Sequence, residues 1–277
     1  MNKLGELLCL LQTKMPEATA WGWFHLMWIA IIIISLIILY KVKDKSNEKQ
    51  LKIVLGVYGI VALILEVTKQ LIWTFDYNAV TNTFSADFQW YAFPFQLCTT
   101  PIFVSILCLF MKRTKLRLSL LSYMAFVTIL GSFMTVIIPD DCLVETILIN
   151  VHTMWLHCGN LVVSIYLLMS GAVEINKQNF KNAIKVFIVF VILAQILNVG
   201  VYNSGILGDE TFNMFYISPY FISSLPVFDT IQQNVPYPVY LALYVIALSL
   251  GAGIVYMIAK IISNIINKKE KVKIEEK

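Results

Sequence analysis

The sequence predicts an all-α, polytopic membrane helical bundle of about seven transmembrane helices. Two observations carry that reading. Hydrophobic residues make up 58% of the 277 positions and charged ones only 14%, with a mean hydropathy of +0.75. Such a chain has too little polar surface to cover a soluble globule. Second, runs of about 20 mostly apolar residues, enough to cross roughly 30 Å of hydrocarbon, recur seven times, and the basic residues between them fall in alternate loops.

Residues 1–21 come first. The apolar stretch around Leu7 to Leu11 is too short for a secretory leader and no small-residue cleavage site follows it, so an interfacial segment is expected. Spans are then expected at 22–41, 51–74, 90–111, 117–138, 146–171, 183–202 and 238–262, forming one membrane domain over 22–265. The loop after the first carries Lys41, Lys43, Lys45 and Lys49, and that after the third Lys112, Arg113, Lys115 and Arg117. Lys177 and Lys181 follow the fifth, and the tail 266–277 ends NKKEKVKIEEK. In contrast, 75–89, 139–145 and 203–237 hold no Lys or Arg but include Asp76, Asp87, Asp140, Asp141, Asp209, Glu210 and Asp229. The positive-inside rule then sets the amino terminus outside and the carboxyl terminus in the cytoplasm of a multi-pass cell-membrane protein. The long, aromatic- and proline-rich stretch 203–237 is expected to pack over the outer mouth as a lid.

The formal charge of +4 sits beside the spans, where it meets anionic lipid head groups. Membrane lipids are therefore the expected partners and nucleic acid is not; oligomeric state is left open. Five cysteines without CxxC spacing and three histidines give no metal site. Cys9 and Cys142 fall on the same side, but a disulfide between them is not expected.

Ionisable groups within spans are costly and mark functional candidates. The spans place His25 near the outer end of the first helix and Glu66, Lys69 and Gln70 in the outer third of the second. Gln96, Cys98, Thr99 and Thr100 lie in the outer half of the third, and His157 and Asn160 in that of the fifth. Gln195 and Asn198 lie towards the outer end of the sixth. The inner halves are nearly featureless. At about 1.5 Å per residue, Cys98 and His157 both fall roughly 12 to 17 Å below the outer surface. A thiol becomes a nucleophile when a neighbouring base takes its proton, so Cys98 and His157 form the candidate catalytic pair, with Gln96, Thr99 and Asn160 as oxyanion or polar support. His152 is expected nearer water and on another part of the helix surface. The structural reading stands beside the catalytic one: Glu66 and Lys69 can neutralise each other with Lys69 snorkelling outward, the amides can be interhelical glue, and His25 can be a capping histidine.

Several segments resemble the YwaF-like (TP-type) integral membrane protein family of bacteria: FHLMW at His25, LEVTKQ at Glu66, FPFQLCTTP at Cys98, GSFMTVIIPD before Asp140, WLHCGNLVVSIYLL at His157, NSGILG at Asn203 and PYPVY at Pro236 to Tyr240. Gln96 stands where that family usually has a histidine, and Tyr237 and Val239 depart from its Pro-Trp-Pro-Trp-Tyr element. The same arrangement looks like a eukaryotic multipass family with an ether-phospholipid acyltransferase that uses a catalytic cysteine. More distantly it is similar to the androgen-induced membrane hydrolases, which use a threonine and a histidine. The resemblance implies that Cys98 is the nucleophile and His157 the base. Two functions follow as expectations. The first is a lipid acyltransferase or esterase that needs no cofactor. The second is a non-catalytic small-ligand binding protein or transporter, in which Glu66, Lys69, His25, His157 and Asn198 bind substrate or relay protons.

Overall fold

The computed structural model describes residues 3–44, 47–139 and 142–275; Met1, Asn2, Lys45, Ser46, Asp140, Asp141 and the last two tail residues lie outside the described residues. Helix α1 (Lys3–Leu11) is followed by the long helices α2 (Trp23–Val42) and α3 (Glu48–Thr74). A hairpin of β1 (Phe75–Asn78) and β2 (Thr83–Ala86) leads to the short helix α4 (Thr100–Phe110). Helices α5 (Lys115–Tyr123) and α6 (Ile129–Ile137) form one rod through a π turn at Met124–Thr128. Then come α7 (Ile147–Met169), α8 (Lys177–Asn203), the small α9 (Phe228–Asn234) and α10 (Tyr237–Glu275). Among the described residues, six helices are long and apolar enough to cross a membrane.

The expected third span, 90–111, is the point of departure. Only 100–110 is a long helical stretch. Pro94 pushes Phe93 out of the helical region, to φ −51° and ψ 135°, because its ring clashes with a helical predecessor. Pro101 sits in the first turn of α4, where a missing N–H costs nothing. The 11 residues of α4 rise about 16 Å, so its amino end stops roughly halfway through the apolar layer. Hydropathy alone reads this as a continuous span. The polar backbone of such a break is tolerated at membrane depth only when protein or a wet cavity covers it.

Helix α3 buries a stripe at helical spacing, Leu51, Leu55, Tyr58, Ala62, Glu66 and Lys69. Its opposite face, including Val57, Ile64 and Val67, is exposed, as expected of a surface solvated by acyl chains. Gly59 allows α4 to approach: a Cβ there would lie 3.0 Å from that of Ser105. Gly159 of α7 likewise receives the buried ring of Tyr58, which a Cβ would meet at 2.8 Å. The π turn frees backbone carbonyls inside the bundle, and α7 supplies their partners. Ser164 Oγ donates to Met124 O at 2.8 Å and Asn160 Nδ2 to Thr128 O at 3.2 Å.

At the lysine-poor end, the amino-terminal segment bridges helix ends. Gln12 donates to the carbonyls of Ile72 and Phe75 (3.1 and 2.9 Å), and Lys14 pairs with Glu145 at 2.9 Å. The segment between α8 and α10 folds inward over the bundle, burying Phe212, Met214, Phe215 and Ile217 completely. Cys9, Cys98, Cys108 and Cys158 are free thiols.

Candidate functional site

A buried ionic cluster lies between α3 and α7. Glu66 and Lys69 are one helical turn apart and pair at 2.5 Å, while the other carboxylate oxygen, Oε2, meets His152 Nε2 at 2.8 Å. Gln70 Nε2 donates to Glu66 Oε1 at 3.0 Å. Both Lys69 Nζ and Gln70 Nε2 donate to the carbonyl of Ala92 (3.1 and 2.8 Å), so the cluster also holds the segment leading to α4. Lys69 therefore does not snorkel; it is 6% exposed and faces inward. A desolvated charge in low dielectric is sustained only by such complete pairing. His152 is the residue the sequence misplaces. It is buried to 6% exposure rather than near water. Counting turns from the helix ends was the available signal, since Glu66 lies eight residues from the end of α3 and His152 five from the start of α7.

Contacts along the helices set relative depth. Gly56 lies against Leu109, and Gly59 against Ser105 and Ile106; continuing this antiparallel register brings Cys98 and Thr99 level with Glu66. On the other side Gly159 faces Tyr58 and His152 faces Glu66, which puts His157 opposite the turn around Gly59 and Val61. His157 lies about 7 Å nearer the basic end than His152, beside Leu156, whose carbonyl accepts from Tyr58 Oη at 3.5 Å. Cys98 is half-buried in the turn just before α4 and within electrostatic reach of both Lys69 and Glu66. No hydrogen bond joins it to His157 among the described residues. The Nδ1 atom of His157 is buried without a hydrogen-bond partner among the described residues.

The remaining candidates have other partners. Gln96 spends its amide on the inward-folded segment, Nε2 donating to Asn213 O at 3.0 Å and Oε1 accepting from Phe215 N at 2.7 Å. Asn198 does the same at Met214, donating to its carbonyl at 3.0 Å and accepting from its N–H at 2.7 Å. Thr99 Oγ1 closes its own turn, accepting from Gln96 N and donating to Gln96 O. Asn160 is bound to Thr128 and Ser132 on the rod α5–α6. His25 ties α2 to α6: its Nδ1 accepts from Trp21 N at 2.9 Å, which leaves Nε2 to donate to Val136 O at 2.8 Å. His25 thus stands apart from the Glu66 cluster. Among the described residues, no three His, Cys, Asp or Glu side chains are grouped to hold a metal ion.

The inward-folded segment is strained and locked. Phe215, Tyr216 and Val227 have φ of 59°, 59° and 73°, a region non-glycine residues rarely occupy. The Phe215 ring stacks on Phe95 at 5.8 Å, and Glu210 Oε2 accepts from Trp90 N at 2.7 Å, so the segment grips the same stretch that precedes Cys98. Replacing Asn198 with leucine leaves the buried N–H of Met214 unpaired and its C=O with only the long bond from Ile217 N at 3.4 Å, at a cost of about 1–3 kcal/mol. Hydrogen exchange of amides 212–217 should accelerate roughly fivefold to a hundredfold, while that of α3 stays unchanged.

These features define a class: a multi-pass helical membrane protein with a broken third span and a buried ion cluster at the break. Residues 19–256 match the TMEM164 family, and the chain belongs to that family. No curated protein and no solved structure matches it.

Proposed function

We propose that this protein is a lipid acyltransferase or esterase of the cell membrane, as the likeness to YwaF-like proteins and to the ether-phospholipid acyltransferase family implies, with Cys98 as nucleophile. One observation supports the reading: Cys98 sits at the amino end of a half-helix, within electrostatic reach of the carboxylate of Glu66, which orients His152. The Nε2–H of His152 donates to Glu66, which leaves Nδ1 as the acceptor. This is the relation of base and orienting acid in nucleophilic catalysis.

In the first half-reaction His152 Nδ1 takes the thiol proton and the thiolate adds to the acyl carbonyl of a lipid. The positive end of the α4 dipole favours the developing oxyanion. The ester C–O bond breaks, the leaving alcohol takes the proton from His152, and a Cys98 thioester remains. An acceptor hydroxyl, or water, then gives its proton to His152 and attacks the thioester, the C–S bond breaks, and the leaving thiolate takes the proton back from His152 to restore the thiol.

The test is a reconstituted protein given a phospholipid with an isotope-labelled acyl chain and an unlabelled lysolipid acceptor. Wild type should move label to the acceptor or to water. His152→Gln, which retains a donor for Glu66, should lose about a hundredfold or more, and His157→Gln much less. The reverse ranking assigns the base to His157. No release of label by wild type would favour the non-catalytic binding or transport reading.

A further inference from the structure

A second polar site lies at the opposite, lysine-rich end of the bundle. A cavity of about 350 Å³ opens between the amino ends of α3 and α5 and the carboxyl end of α7. It lies about 27 Å from Glu66 along α3. Arg117 forms its buried wall, with 3% of its side chain exposed. Its Nε donates to Cys108 O at 2.8 Å, and its two terminal nitrogens meet Glu48 at 3.1 and 2.7 Å. Arg113 Nε donates to the same carboxylate at 2.8 Å. One carboxylate thus serves two guanidinium groups. Among the described lining residues, the cations Arg113, Lys115 and Arg117 outnumber the carboxylates Asp44 and Glu48.

The backbone adds to this balance. Both helices that open onto the cavity present their positive ends, α3 capped by Asn47 and α5 by Thr114, and helix amino termini favour anions. Tyr166 and Ser170 complete the lining, their hydroxyls donating to Gln50 Oε1 at 3.1 Å and to Tyr166 O at 2.7 Å. Arg with Lys beside oriented backbone dipoles is the chemistry of phosphoryl recognition. The cavity lies where the spans meet the basic loops, which is head-group depth.

We propose that this cavity binds a phosphoryl group, supplied by the head group of a membrane lipid. The full-length protein in neutral detergent is given phosphatidic acid, diacylglycerol with the same chains, or inorganic phosphate. Affinity is read by native mass spectrometry and confirmed by thermal stability. Phosphatidic acid should bind and stabilise, and diacylglycerol should not. The double substitution Arg113→Gln/Lys115→Gln, which leaves Arg117 on Glu48 to preserve the fold, should weaken phosphatidic acid binding about tenfold or more. Stabilisation by inorganic phosphate with the same dependence on the two residues supports the site with a soluble phosphoryl ligand. Phosphatidic acid binding that is absent in wild type, matched by diacylglycerol, or undiminished in the double variant overturns the proposal.

Discussion

Glu66→Leu should destabilise the protein by about 3–5 kcal/mol, the cost of leaving a buried charge without its partner. Lys69 is almost fully buried, one turn from Glu66, and its other anchor is the neutral carbonyl of Ala92. His152 loses its acceptor in the same variant. The double variant Glu66→Leu/Lys69→Met should recover most of the loss, since exchanging a buried ion pair for apolar residues of similar volume is often neutral or better. Unfolding midpoints in detergent, with each single variant beside the double, measure the coupling. A single-variant loss below about 1 kcal/mol would place the pair in water, as for exposed ion pairs, and would contradict the buried cluster described above.

Cys98→Ser should reduce acyl transfer to background while leaving the fold intact. The two side chains are close in size, but a hydroxyl gives up its proton far less readily than a thiol and needs stronger activation. The thiol makes no hydrogen bond to His157 among the described residues, so a structural contribution should be small. Melting temperature and protein yield should therefore match wild type. A protein that instead transports or only binds a ligand should tolerate so small a change.

Much of the fold is legible in the residues. Long apolar runs and the alternation of basic loops give the bundle, because a bilayer constrains both length and charge placement. The broken third span is hidden by its composition. Residues 90–111 are uncharged and mostly apolar, and only Pro94 and Pro101 signal that the backbone cannot run as one helix. The pairing of Glu66 with Lys69 follows from their spacing, whereas that of His152 with Glu66 depends on two helix ends being level, and the packing of Tyr58 against Gly159 fixes that register. Gln96 and Asn198 stand out in sequence as intramembrane amides. Their shared partner, the backbone of 213–215, lies 117 to 119 residues from Gln96 and 16 from Asn198. No local pattern encodes such a contact.

The most direct measurement is the intact mass of the protein after incubation with a phospholipid and no acceptor, followed by peptide mapping. An added acyl mass on the peptide carrying Cys98, removed by hydroxylamine and missing from Cys98→Ser, is the predicted result. An unmodified Cys98 under conditions where wild type turns lipid over, or an adduct confined to another residue, would contradict the assignment of Cys98 as nucleophile.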